Sequence, residues 1–354
     1  MKRPAPHPLS GYREAAAFVW SGIGDALMAL PLLRGLRRSG RASFLLGKAS
    51  SDVFYRFLQE EGVITGFRTY QRHSGSGFRA EWRSWAEAFS GWELVLLPPR
   101  SSIAAARREQ RLLNLLLRSS ALALPVMRLS WGIGRIEYIA EAPTEGIGEA
   151  NRSLSYRRCL AAGFGVEPEP GDLFFSEETT ARCVEAALPW LAAKNLSPGN
   201  YAVLYAATQG RERDLPGGLI AKINRLVRDR GLRLALVGDP AHGGEWPADL
   251  LAHAADCRGR REFRELLGLL GLSRAVFSVD GGLLHLALAA RSPRVVSFWG
   301  PSSPRSRVGP DYPQHRALWR DLGFQPCLGR PEAFSRRAEM FDFSDREIAE
   351  AAGF

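Results

Sequence analysis

The feature that most constrains this chain is a regular alternation of short apolar runs with helical patterns. YAVLYA (201–206), LRLALVG (232–238), RAVFSVD (274–280) and RVVSFWG (294–300) are short apolar runs. Between them lie amphipathic patterns at 217–230, 262–271 and 283–290, with another at 177–194 before the first. Short buried strands joined through helices are parallel βαβ units, because parallel neighbours need a crossover and their sheet is covered on both faces. The same rhythm opens the chain. AAAFVW (15–20) is followed by the turn SGIGD and a helix from about 26 to 38, then ASFLLG (42–47), a helix near 51–60, WELVLLP (92–98) and a basic amphipathic helix over roughly 103–118. The expectation is an α/β protein of two Rossmann-like doubly wound domains facing one another across a cleft.

GVEPEPGD (165–172), rich in Pro, Gly and acids, is the linker candidate. It divides an N-terminal domain, 1–170, from a C-terminal one, 171–340. Ser344 and Glu347 form a capping-box pattern that opens a terminal helix within 341–354, expected to pack back on the N-terminal domain. QRHSGSGF (71–78) reads as a mobile polar loop.

Composition narrows the function classes. No stretch approaches the roughly 20 apolar residues of a membrane span, and the N-terminus has no evident signal peptide. Four Cys (159, 183, 257, 327) lie far apart without CxxC spacing, so a reducing cytoplasm is expected, with peripheral contact at the inner face of the membrane as a further option. The net charge of +10 sits in the first 158 residues, which hold 23 basic and 13 acidic side chains, while the remainder is balanced. The bland reading is an Arg-favouring composition; the functional one is an anionic partner. Nucleic acid is excluded as that partner, since no zinc-finger spacing, RNP pattern or basic heptad helix occurs.

Three constellations can carry chemistry. In FSVDGGLLHLALAARSPRVVSFWGPSSP (277–304) a strand ends at Asp280, Gly281 and Gly282 turn the chain, and a helix starts near Leu283 with His285 in its first turn. Such a helix start offers unpaired N–H groups to a phosphate, although Asp280 as a plain N-cap is the alternative. In AATQGRERDLP (206–216), Thr208 and Gln209 stand at a strand end, with Arg211 and Arg213 beyond; an ordinary polar loop is the alternative. In WSGIGDALMALPLLRGLRR (20–38), Gly22 and Gly24 give only G-x-G, and Asp25 is either a general base or a helix cap.

Together, SGIGDALMALPLLRGLRR, the Thr208–Pro216 segment and SVDGGLLHLALAARSPRVVSFWGPSSP resemble, in that order, the motifs of the bacterial heptosyltransferases, glycosyltransferase family 9, of GT-B fold. The resemblance implies an inverting transfer of a heptose or related sugar from a nucleotide-diphosphate donor, such as an ADP-heptose, to a hydroxyl of a lipopolysaccharide core or other glycan acceptor. It implies Asp25 as the base. Thr208, Gln209, Arg213, Asp280, Gly281, Gly282, Leu283 and His285 would hold the donor's diphosphate and sugar. Gly238, His242 and Arg261, with Arg260 beside it, would lie on the nucleoside side. Apart from the resemblance, Gly22, Gly24, Arg107 and Arg111 are candidates to meet an anionic acceptor, the alternative for the 103–118 helix being a buried scaffold with a solvated basic face. Trp82, Trp85 and Trp92 could stack on sugar rings, core packing being their usual role. No cofactor or metal is expected, because cations and a helix start can stabilise the leaving diphosphate and no D-x-D occurs. The sequence departs from the family at Gly281 for a usual Thr, Arg213 for Lys, Leu215 for Trp and His242 for an acidic residue. Family 9 transfer to a small-molecule or peptide acceptor, or a catalytically silent nucleotide- or glycolipid-binding homologue, are the alternatives.

Overall fold

The structure is a computed structural model that describes residues 8–19, 22–71, 84–85, 87–97, 135–139, 151–242, 246–259, 262–309 and 311–354. The expected basic helix at 103–118, with Arg107 and Arg111, lies outside the described residues, as do Trp82, Arg260, Arg261 and the loop 72–78. Contacts divide the chain into two compact units, Met1–Leu173 with Arg307–Gly309, and Phe174–Ser306 with Pro310–Phe354.

The first unit holds β1 (Glu14–Phe18), β2 (Ala42–Lys48), β3 (Gly66–Tyr70), β4 (Leu94–Leu97) and β5 (Arg135–Tyr138) in the order β3-β2-β1-β4-β5. Every pairing is parallel, with Glu14 opposite Ala42 and Leu94 opposite Arg135. The second holds β6 (Tyr201–Tyr205), β7 (Arg233–Leu236), β8 (Ala255–Asp256), β9 (Ala275–Val279), β10 (Val295–Trp299) and β11 (His315–Trp319), again all parallel, in the order β11-β10-β9-β6-β7-β8. Strand order reverses between β1 and β4 and between β6 and β9, and a doubly wound sheet opens its ligand crevice at such points, beyond the carboxyl ends of the strands.

The four strands that the apolar pattern does not reveal are β3, β5, β8 and β11. β3, β5, β8 and β11 are the edge strands, and β8 is only two residues long. An edge strand need not be apolar on both faces, and HRALW of β11 has no fully buried residue. The helix expected over 26–38 is two helices, Ile23–Met28 and Leu30–Arg38, broken at Ala29. Pro31 has no N–H to give the carbonyl one turn earlier, so the chain restarts its helix there.

The Pro-rich segment at 165–172 is not a slack tether. Arg38 donates to the Glu167 carbonyl at 2.8 Å, to the Asp172 carboxylate at 2.9 Å and pairs with Glu169 at 2.7 Å. These bonds strap it to the first unit. The terminal helix Asp345–Ala352 carries the capping box between Ser344 and Glu347, and Gly353 ends it at φ 70°. It packs within the second unit, where Ile348, Ala351 and Ala352 join the core that includes Phe277, Phe298 and Phe343. Its apolar face continues the second unit's core, and burying it there removes that area from water.

Trp85 and Trp92 take the core role. Both belong to the first unit's aromatic core, at 1% and 4% exposure. Trp85 lies 4.1 Å from the Tyr70 ring and Trp92 4.7 Å from Phe44, so neither is free to stack on a sugar. In the second unit, helices Glu177–Ala193 and Phe263–Gly271 touch at Gly268, where a Cβ would stand 2.1 Å from the Cys183 carbonyl. Glycine permits that backbone approach.

Candidate functional site

In the first unit, β1 runs into Gly22, which caps the helix Ile23–Met28 at φ 116°, a conformation that glycine adopts without strain. A Cβ there would also stand 3.1 Å from the Ser51 hydroxyl. Gly24 is half-buried in the first turn, and Asp25 follows with only 6% exposure. No side chain caps this helix. Asp25 instead receives a charge-assisted hydrogen bond on Oδ1 from Arg152 at 2.5 Å, and both side chains are buried. Arg152 opens the helix Arg152–Arg158, whose start is fixed by Asn151: its side chain accepts from the Leu154 N–H at 2.9 Å and donates to the Val308 carbonyl at 3.3 Å. Tyr55 and Tyr156 are buried nearby; burial first, and the Asp25 charge second for Tyr156, raise their hydroxyl pKa values, so both stay protonated. The ion pair anchors Oδ1 of the carboxylate.

In the second unit the ends of β6 and β9 come together. Arg213 reaches across and donates through Nη1 to the backbone carbonyl of Asp280 at 2.8 Å. Its Nε is buried with no hydrogen-bond partner, and among the described residues it forms no ion pair. The Asp280 carboxylate accepts from the Ser302 hydroxyl at 2.6 Å rather than capping the helix; Gly281 is the N-cap of Gly282–Ala289, with no side-chain cap. The helix therefore begins with no capping side chain from its N-cap residue, an arrangement that leaves room for an anion. Leu283 is half-buried and His285 is buried one turn along.

The loop after β6 is tightly built. Asp214 Oδ1 accepts from the Thr208 N–H at 2.6 Å, and the Thr208 hydroxyl both accepts from the Gly210 N–H at 3.1 Å and donates to its carbonyl at 3.0 Å. Thr208 is thus spent on shaping the loop, while Gln209 is exposed. Burial raises the Asp214 pKa, opposed by the Thr208 amide and by Arg337 and Arg213. Past β7, Gly238 takes φ 122°, and Asp239 turns the chain by accepting from the Ala241 N–H at 2.9 Å. His242 lies 4.0 Å from the Asp239 carboxylate, so an acidic group stands here although position 242 lacks one.

Thr208, Arg213, Asp280, Gly281 and Gly238 are thereby gathered at one end of the second sheet. Arg152, Tyr205, Asp214 and Ser302 belong to these arrangements but carry no sequence signal of their own. Only a hydroxyl-rich GPSS after β10 could have pointed to Ser302. Among the described residues no group of three His, Cys, Asp or Glu is placed to hold a metal, and no helix is long and apolar enough to cross a membrane.

The profile of "Glycosyltransferase family 9 (heptosyltransferase)" matches residues 155–337, more than half of the chain. No curated protein sequence matches. Among solved structures, a glycosyl transferase family 9 protein from Veillonella parvula superposes with TM-score 0.61 at 12% identity, covering 97% of this chain and 96% of its own. E. coli heptosyltransferase WaaC with ADP-2-deoxy-2-fluoro heptose gives 0.56 at 18% identity, covering 92% and 99%. E. coli ADP-heptose lps heptosyltransferase II gives 0.56 at 16%, covering 92% and 97%. The two parallel α/β units thus have the GT-B fold of these enzymes.

Proposed function

This chain belongs to glycosyltransferase family 9 and is a heptosyltransferase-like glycosyltransferase, and on that premise we propose that its second unit holds a nucleoside-diphosphate sugar, ADP-heptose or a related donor, for inverting transfer to an acceptor hydroxyl. The observation that carries the reading is the Arg213 guanidinium. It donates to a neutral carbonyl and, among the described residues, forms no ion pair, beside a glycine turn that opens a helix. As the diphosphate leaves, negative charge grows on its oxygens, and pre-aligned donors stabilise that charge most in the transition state. Asp25 serves as the base that takes the acceptor's proton, its Oδ1 held by Arg152. The positive charge of the first 158 residues supports an anionic glycolipid or glycan as acceptor, met at the inner face of the membrane. Liposome flotation tests the last point: no binding even at low salt removes it.

The test of the chemistry is a pair of variants assayed for nucleoside-diphosphate release and for donor binding. Asp25→Asn keeps a partner for Arg152 and should lower turnover by about 10²–10⁴-fold with donor affinity unchanged. Arg213→Gln should weaken ADP binding by roughly tenfold or more. Near-normal turnover of Asp25→Asn removes the assignment of the base, and unchanged ADP binding by Arg213→Gln removes that of the diphosphate site.

A further inference from the structure

β6 ends on Tyr205, and each strand beside it, β7 and β9, is followed at the level of that ring by a glycine. A Cβ at Gly238 would stand 3.2 Å from both Cδ2 and Cε2 of Tyr205; a Cβ at Gly281 would stand 2.8 Å from Cε1 and 3.1 Å from the hydroxyl oxygen. The ring lies between two positions without side chains and fills the space each would need. The two glycines differ in why they are glycine. Gly238 has φ 122°, which asks for glycine on backbone grounds alone. Gly281 has φ −171°, an extended backbone open to any residue, so what excludes a side chain there is the tyrosine.

The steric fit fixes the hydroxyl. It stands where the side chain of residue 281 would begin, at the N-cap of Gly282–Ala289, with the Thr208 methyl 3.4 Å from the same point. Among the described residues the hydroxyl makes no hydrogen bond. Burial pushes the Tyr205 pKa up to about 12, with Arg213 pulling the other way and Asp214, Asp280 and Asp239 adding to the rise, so the group is a neutral O–H able to donate.

We propose that Tyr205 determines specificity for the diphosphate end of the donor: its hydroxyl takes the place of a hydroxyl-bearing side chain at position 281 and donates to a phosphate oxygen at the start of the helix. This rests on the reading of the second unit as the donor site. A phenol between two glycines is more rigid than a serine or threonine at 281, because its ring is wedged on both edges, so it favours one phosphate position over others.

The experiment is calorimetric titration of the full chain with ADP and AMP, with GDP and UDP alongside. Tyr205→Phe keeps the ring and the fold; it should weaken ADP about tenfold while leaving AMP and the thermal midpoint unchanged. Gly281→Ser forces a Cβ against the ring and should lose most ADP binding. Tyr205→Ala combined with Gly281→Ser moves the hydroxyl from one residue to the other and should bind ADP more tightly than Gly281→Ser alone, to within about threefold of the wild type. A Tyr205→Phe variant with wild-type ADP affinity, or a double variant no better than Gly281→Ser, overturns this inference alone. A wild-type protein that binds none of the three diphosphates overturns the donor-site reading and this inference with it.

Discussion

At the end of β1 a buried cation meets a buried carboxylate; at the ends of β6 and β9 a cation meets a neutral carbonyl. Arg152 and Asp25 cancel one another inside the first unit. Arg213 is held by the Asp280 carbonyl, while the Asp280 carboxylate is held by a neutral Ser302. Two sheets of the same parallel build therefore present opposite electrostatics near their switch points. A charge held in an ion pair orients a side chain, whereas a cation resting on a carbonyl beside a helix start attracts an anion. The difference teaches which unit suits a diphosphate, a point that strand topology alone leaves symmetric.

If that contrast is right, removing one partner should be most costly in the first unit. Arg152→Ala leaves Asp25 buried without its cation and should lower unfolding free energy by about 3–5 kcal/mol in urea denaturation. A loss under about 1 kcal/mol would mean that water already screens the pair. The second unit has an acid-sensitive element of its own. His315, on β11, has its pKa lowered to about 4 from 6.5, by burial first and by His285 and Arg316 next. The unfolded chain binds the proton first, so stability is full above pH 6.5 and is lost as pH falls toward 4, by about 3 kcal/mol. Denaturation at pH 7 and pH 4.5 should show the loss, and His315→Gln should flatten it; an equal slope in that variant would assign the effect elsewhere. Ser297 and Trp299, bonded in series to His315 at 2.6 Å each, should hold the glutamine in place.

Smaller effects refine the same contrast. Ser302→Ala strips the neutral donor from the Asp280 carboxylate and should cost about 1.5 kcal/mol in the same assay. It should also weaken ADP binding, because a freed carboxylate can turn toward Arg213. Unaltered ADP affinity would show that Arg213 is fixed by the Asp280 carbonyl alone. Gly22→Ala, strained at φ 116° and crowded by Ser51, should cost about 1 kcal/mol and leave ADP binding untouched. A change in ADP affinity there would undo the separation of roles between the units.

The central strands were legible because burial on both faces makes them unbroken apolar runs: LVLL of β4 and AVFSV of β9 are fully buried. The edge strands β3 and β11 escaped because their exposed residues dilute the pattern. The turn at Asp280 was legible as a strand running into two glycines and a helical pattern. Whether its aspartate caps that helix was not, since the deciding partner, Ser302, lies 22 residues away. Asp25 was visible as an acid after a strand, but Arg152, 127 residues on, reads as one more basic residue in a helix.

Local order, the alternation of strand and helix and the position of the glycine turns follow from the residues in sequence, because backbone preferences and hydrophobic periodicity act over a few neighbours at a time. Partnership does not. That Asp25 pairs with Arg152, that Arg213 donates to the Asp280 carbonyl, and that Tyr205 rather than the backbone makes position 281 a glycine depend on side chains brought together from distant segments. Those contacts exist only once burial has placed the strand ends side by side.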